Sequence, residues 1–262
     1  MPGPYSTTDA LEVTLDDSVA VLEMRKPPAN YFDEELVRAI ATATHTLDHE
    51  PRCRALVLCA AGRHFCAGAD FADTEGFGAD KSMTARRIYE QAARLFETRK
   101  PIIAAVQGAA VGGGLGLACA ADFRVADSDA RFVANFSRLG IHQGFGLSAT
   151  LPNIVGKQTA ADLLMRGATI RGDEALRVGL VDRLAGSGEQ RAVAVAWARE
   201  LAEAAPLAVS SIRSTLRAGL AEQVRAALDH ELAEQSRLWR TQDSAEGIAA
   251  SLERRTPTFT GS

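Results

Sequence analysis

Hydrophobic positions along the chain follow two periods, and the change from one to the other marks its organisation. Leu11, Val13 and Leu15 alternate with polar residues, Asp16-Asp17-Ser18 supplies turn chemistry, and an extended pattern resumes over 19–24. This predicts an antiparallel hairpin. Lys26-Pro27-Pro28-Ala29-Asn30 then breaks regular structure. Leu36, Ile40, Ala43 and Leu47 recur at helical spacing behind Asp33, which predicts a capped helix over 33–48. Short apolar runs at 55–59, 101–107 and 123–126 predict buried strands, with a brief extended piece at 130–133. Helices are predicted from Ser82 to about Arg99, from Ser148 to about Val155 and over 160–166. Residues 172–182 read as a short helix, a glycine break and a short strand, 139–146 as a loop, and 72–81 as a mobile segment. Beyond about residue 190 the pattern is helical throughout. It predicts two long helices over 188–204 and 207–236, then a last one capped by Asp243-Ser244 and running to about Arg254. Strand–helix units followed by an all-helical end predict an α/β fold with parallel strands and crossover helices.

Two stretches interrupt this pattern with small residues. Gly108-Ala-Ala-Val-Gly-Gly-Gly-Leu-Gly116 follows a buried strand and runs into a small apolar helix start. Gly62-Arg-His-Phe-Cys-Ala-Gly-Ala-Asp70-Phe71 leaves another buried strand in the same way. A strand-to-helix turn turns unpaired backbone N–H groups toward a negative oxygen. The glycine run by itself also reads as a packing turn in which a Cβ would clash. Taken together, neighbouring turns of this kind can aim two N–H groups at one oxygen, the arrangement of an oxyanion hole, and a larger side chain would fill the ligand's space.

Composition narrows the function class. A net charge of −4 and a pI near 5.8, with basic residues scattered, give no footprint for nucleic acid or an anionic membrane. No run is long enough to span a bilayer, and the first residues lack a signal-peptide pattern. Cys53, Cys59, Cys66 and Cys119 sit in or beside apolar segments without metal-ligand spacing. They read as reduced thiols of a cytoplasmic protein that holds no metal.

The motifs Phe65-Cys-Ala-Gly-Ala-Asp70 and Pro101-Ile-Ile-Ala-Ala-Val-Gln-Gly-Ala-Ala-Val-Gly-Gly-Gly114, with Asp122 following, resemble the crotonase (enoyl-CoA hydratase/isomerase) superfamily. The segment from Asp243 to Phe259 is similar to that family's C-terminal signature, and the likeness extends over about residues 10–260. The resemblance implies a ββα spiral core over residues 1–200 and a C-terminal helical region over 201–262 that builds a homotrimer or a dimer of trimers and closes the CoA site. It implies an acyl-CoA or aryl-CoA thioester as substrate, with coenzyme A part of that substrate and no permanently bound cofactor. The N–H groups of Ala69 and Gly113 would hold the thioester carbonyl. Arg25, Ala29, Ala67, Asp70, Phe71 and Gly112 would lie along the CoA and acyl path, with Phe136, Leu139 and Gly144 around the acyl group. Arg254 would reach the CoA phosphates.

The chain departs from the family where proton transfer is concerned. Hydratases of the family carry one glutamate two residues after the glycine triplet, where this chain has Gly116, and a second where Phe136 aligns. A third acidic position, used by certain isomerases and an aryl-CoA dehalogenase, aligns with Gly144. Adding water needs a base for the water and an acid for the α-carbon, so two-carboxylate hydration is unsupported. His142, in the loop toward the acyl pocket, and Tyr89, on the helix before the glycine run, are the remaining candidates for acid–base work. Each also reads as structural, His142 as a loop histidine and Tyr89 as a packed aromatic. Two functions follow: an enzyme of the hydratase/isomerase type working through a thioester enolate, or a catalytically silent acyl-CoA-binding or assembly protein. Phe136, Leu139 and Phe145 suggest an apolar acyl pocket with room for an aromatic or branched group.

Overall fold

A computed structural model describes residues 8–72 and 80–262. The first residues and most of the 72–81 segment, on which the signal-peptide and mobility readings fall, lie outside the described residues.

The main sheet has six strands in the order β1-β2-β3-β4-β6-β9, namely Leu11–Asp16, Val19–Met24, Ala55–Ala60, Ile102–Val106, Phe123–Ala126 and Arg183–Leu184. The β1–β2 hairpin is antiparallel and every later pairing is parallel. A smaller sheet joins β5 (Ala109–Val111), β7 (Arg131–Val133) and β8 (Thr169–Arg171). The helices are α1 (Glu34–Asp48), α2 (Lys81–Leu95), α3 (Gly113–Ala120), α4 (Leu147–Val155), α5 (Lys157–Arg166), α6 (Gly172–Arg177), α7 (Gln190–Glu203), α8 (Pro206–Leu216), α9 (Leu220–Leu238) and α10 (Gln242–Glu253).

Strand alternation divides the core in two. Leu56 and Leu58 of β3, with Ile102, Ala104 and Val106 of β4, face the side covered by α1, α2 and α3. Ala55, Val57 and Cys59, with Ile103 and Ala105, face the other side, where α7 lays down Ala194, Ala198 and Ala202. Both faces are covered, so the strands read as continuous apolar runs rather than alternating ones. Burial of each large side chain here contributes about 1.5–3 kcal/mol.

Helix ends follow local chemistry. Asp33 accepts from the N–H of Leu36 and caps α1 as the sequence predicts, while Asp80 accepts from Met83 and starts α2 one residue earlier than Ser82. α2 ends at Leu95, short of Arg99, and α4 starts at Leu147, behind left-handed Gly146. The last helix is capped by the Thr241 side chain rather than by Asp243. Asp243 instead accepts from the N–H groups of Thr260 and Gly261 and ties down the chain end.

Three further expectations are corrected. The segment expected as one helix over 207–236 is two: α8 ends at Leu216 with Arg217 as its cap, and left-handed Gly219, with a φ of 77°, caps the start of α9. The strand expected within 172–182 lies at Arg183–Leu184. The glycine run is not only a turn, because it contains β5. The C-terminal helices are fastened to the sheet by Asp122, which accepts from the N–H of Ile102 and pairs with Arg213 at 2.8 Å and Arg217 at 2.9 Å.

Candidate active site

The two small-residue turns are stitched together by backbone. Cys66 donates to Ala109 at 3.1 Å and accepts from Val111 at 2.9 Å, forming a parallel bridge to β5. Small residues are required at this seam. A Cβ on Gly68 would sit 2.8 Å from the Val111 carbonyl oxygen, and one on Gly114 would run into the carbonyl of Cys66. Gly68 and Gly112 also have φ values of 87° and 54°, which disfavour a side chain. A third strip, residues 26–32, is tied to the same turns. Buried Asn30 donates to the carbonyls of Ala61 and His64, Ala67 donates to Ala29, and Phe32 donates to Gly68.

This seam forms one wall of a cavity of about 350 Å³. Ala69 and Gly113 both line it, and among the described residues their backbone N–H groups have no acceptor. Gly113 is the first residue of α3, where an N–H has no partner within the helix. The wall thus offers two backbone donors to a cavity lined by both apolar and polar side chains, the chemistry that holds a developing oxyanion.

The opposite wall is made of side chains. Phe145, fully buried, lies against the glycine helix and has a φ of 60°, a left-handed conformation that is uncommon for a bulky residue. A Cβ on Gly116 would come within 2.6 Å of the Phe145 Cβ, so there is no room for a side chain at this position, where the family resemblance led to an expected hydratase glutamate. Gly144 is constrained in the same way, since a Cβ there would meet the Tyr89 hydroxyl and approach Gln235 Nε2 at 2.7 Å. Phe136 lines the cavity at the third position. Two of the three carboxylate positions are therefore occupied by aromatic side chains from elsewhere in the fold.

Ala67, Ala69, Asp70, Phe71, Tyr89 and Gly112 line the cavity together with Gly113, Phe136, Leu139, Gly144 and Arg254. The side chains of Arg25 and His142, and Ala29, do not. Arg25 pairs with Glu12 and Glu23, and the carbonyl of Ala29 is held by Ala67. The His142 ring lies edge-on to His230 with centroids 5.6 Å apart, and its Nδ1 is 2.9 Å from the Gln143 carbonyl oxygen. Asp70 accepts from the N–H of Ala72 at 3.0 Å. Arg254 ends α10 in a left-handed conformation, after Ile248, Ser251 and Leu252 have closed the cavity from the same chain. α10 can come this close because a Cβ on Gly247 would clash with Leu139, and one on Gly140 with Asp243. Among the described residues, the ionisable side chains lining the cavity are Tyr31, Asp70, Tyr89 and Arg254.

Burial sets the protonation of the groups around this site. It raises the Tyr89 hydroxyl well above the usual phenol range, so Tyr89 is a neutral hydrogen-bonding group. It pushes the Cys66 thiol up to about 12, which leaves that cysteine inert.

Sequence reasoning missed two residues of α9. Glu231 is fully buried and accepts from the N–H groups of Gly146 and Ser148, each at 2.8 Å, holding the backbone on both sides of Leu147 at the start of α4. Burial pushes its carboxyl up to about 7. One turn on, Gln235 donates to the carbonyl of His142 at 2.9 Å and accepts from Tyr89 at 2.8 Å. The signal was present in the stripe Val224, Leu228, Glu231, Leu232, Gln235, where two polar residues stand at core-facing positions.

Comparison with known proteins agrees with this geometry. The sequence profile of the enoyl-CoA hydratase/isomerase family matches residues 14–262. A probable enoyl-CoA hydratase of Bacillus subtilis is 34% identical over 97% of this chain and 99% of its own length. A 1,2-epoxyphenylacetyl-CoA isomerase of Escherichia coli is 30% identical over 94% of this chain and 97% of its own. The crystal structure of an enoyl-CoA hydratase/isomerase from Pseudoalteromonas atlantica superposes with a TM-score of 0.85 at 29% identity, covering 96% of this chain and all of that one. Profile, relatives and superposition all span the chain that carries the stitched turns and their two free N–H groups, and the chain belongs to the enoyl-CoA hydratase/isomerase (crotonase) family.

Proposed function

We propose that the protein is an enzyme acting on an acyl-CoA or aryl-CoA thioester, whose carbonyl oxygen accepts hydrogen bonds from the N–H groups of Ala69 and Gly113. The observation that carries this reading is the pair of backbone donors without an acceptor among the described residues at one wall of the cavity, in a chain of this family. Such donors cost nothing to reorganise as charge develops on the thioester oxygen, and each is worth about 2.7–4 kcal/mol in the transition state. They favour an enolate-like intermediate, which isomerisation and decarboxylation share. Thioester hydrolysis uses the same donors for its tetrahedral intermediate.

Two-carboxylate hydration is not part of the proposal. Gly116 and Gly144 abut Phe145 and the Tyr89 hydroxyl, and Phe136 stands at the third position. Of the two acid–base candidates, Tyr89 lines the cavity and His142 lies outside the lining, but burial keeps the Tyr89 hydroxyl neutral and its O–H donates to Gln235. Phe32, Phe136 and Phe145 supply an apolar surround suited to an aromatic or branched acyl group, and the isomerase relative carries a phenyl acyl group by name. Coenzyme A enters as part of the substrate, with Arg254 at the cavity rim as a contact for it. The proposal includes a cytoplasmic location, which fits four buried free cysteines, and a homotrimer or dimer of trimers, which fits exposed Leu207, Ile212 and Leu216 on α8.

A second reading, an acyl-CoA binder without turnover, is favoured by one observation: Asp70 is the one carboxylate that lines the cavity among the described residues. Turnover of a panel of saturated, unsaturated and aryl CoA thioesters separates the two. Turnover of any member supports the enzyme, and binding throughout without turnover supports the binder.

A further inference from the structure

The acyl side of the cavity is not uniformly apolar. Among Ile88, Phe136, Leu139 and Ile141 stand two polar side chains, Tyr89 and Gln235, that both line the cavity. Their hydrogen bonds fix the direction of every donor. The carbonyl oxygen of His142 can only accept, so the nitrogen of the Gln235 amide must face it, as it does at 2.9 Å. The amide oxygen therefore faces Tyr89 and can only accept, so the Tyr89 O–H is committed as donor at 2.8 Å. The lone pairs of the Tyr89 oxygen and the second N–H of the Gln235 amide remain.

The pair is locked in place. Gly144 lies directly beneath it with no space for a side chain, and Gln235 is buried on α9. An acyl group made only of carbon leaves an acceptor and a donor unmet at this wall, and unmet polar groups in a closed site cost about 1–3 kcal/mol each. A hydroxyl satisfies both, donating to the Tyr89 oxygen and accepting from the Gln235 N–H. A carboxylate does not fit, because the Tyr89 O–H is committed to Gln235 and offers it no hydrogen.

We infer that Tyr89 and Gln235 form a recognition pair for a hydroxyl on the acyl group, so that the site selects hydroxylated acyl thioesters over their unsubstituted counterparts. This rests on the reading of the cavity as a thioester site and names the substrate class within it. A site built to hydrogen-bond a hydroxyl rejects the analogue that lacks one far more strongly than an apolar pocket rejects a missing methylene.

The test is calorimetric binding of 3-phenylpropanoyl-CoA and its ortho-, meta- and para-hydroxyphenyl analogues, with crotonyl-CoA as a control. It is run on the wild-type protein and on Tyr89→Phe and Gln235→Leu, with circular dichroism to confirm folding. At least one hydroxylated analogue is expected to bind the wild type tenfold or more tightly than 3-phenylpropanoyl-CoA, and the ratio is expected to fall to about one in Tyr89→Phe. Gln235→Leu, in which both the amide N–H and the Tyr89 anchor are lost, is expected to reduce the ratio as well and guards against a folding defect in the first variant. Wild-type protein that binds thioesters without distinguishing the analogues overturns this inference alone, as does a preference that survives in Tyr89→Phe. Failure to bind any thioester, crotonyl-CoA included, overturns the thioester reading and this inference with it.

Discussion

The two walls of the cavity are built from different materials. The glycine wall, residues 66–69 and 112–116, works through backbone: its donors are N–H groups and its shape depends on the absence of Cβ atoms. The facing wall works through side chains: Phe145 and Tyr89 fill the space beside Gly116 and Gly144, and Glu231 and Gln235 hold the 142–148 loop from behind. The glycine wall has little steric freedom, because a Cβ at Gly68 or Gly114 meets a backbone carbonyl. The facing wall is set by side-chain packing, and the proposed departure from two-carboxylate chemistry rests there, on Gly116, Phe136 and Gly144.

The largest effect is expected on the backbone wall. Ala69→Pro deletes one donor N–H, and turnover of the thioester identified by the panel is expected to fall about 10²–10³-fold with the protein still folded. Near wild-type steady-state kinetics in this variant would break the comparison at its first term.

Glu231 tests the facing wall through pH. Its carboxyl stays protonated to about 7 in the fold but to only about 4.3 in the unfolded chain. The folded state therefore binds more protons between these values, so this contribution to stability is fully present below about pH 4.3 and is lost as pH rises through about 7, by up to about 4 kcal/mol. Glu231→Gln removes that slope, although it also costs a backbone hydrogen bond, since an amide nitrogen cannot accept. Denaturant unfolding of both proteins at about pH 5 and about pH 8 checks it. The stability advantage of the wild type is expected to shrink toward high pH, and an advantage that is constant or grows would contradict the assignment.

Gly114→Ala probes the seam sterically. Its Cβ runs into the Cys66 carbonyl, and overpacking of this kind costs about 1–3 kcal/mol, read as a lower denaturation midpoint. The smallest effect is expected from His142→Ala. With its ring against His230 and outside the cavity lining, turnover should change by less than about twofold, near the background of surface substitutions. A hundredfold loss would return His142 to the chemistry.

The sequence carried the backbone wall more fully than the facing one, for physical reasons. Strands β2, β3 and β4 are short apolar runs bounded by polar, Pro or Gly residues, and their burial on both faces makes them legible. The glycines at 68, 113, 114 and 116 announce themselves because Val111, Phe32, Cys66 and Phe145 respectively leave no room for a Cβ. β5 itself was hidden, being three residues inside a glycine run. The break at Gly219 was hidden because the residues on both sides of it keep helical periodicity. Glu231 and Gln235 lie 85 and 93 residues from the loop backbone they hold, and no local pattern specifies such a pairing. A glutamate among the charged residues of a long helix reads as solvated until the buried stripe is counted. Arg25 neighbours the same loop, and its guanidinium pairs with Glu12 and Glu23, partners that the hairpin brings to it and that no local pattern announced.

The central claim is that the backbone wall holds a thioester carbonyl. A crystal structure with a bound, non-reacting acyl-CoA thioester analogue tests it most directly. The account predicts the carbonyl oxygen within about 3.1 Å of both the Ala69 and the Gly113 nitrogens, with the acyl group running toward Tyr89 and Phe136. A thioester whose carbonyl points away from these two nitrogens, or that binds outside this cavity, would contradict it.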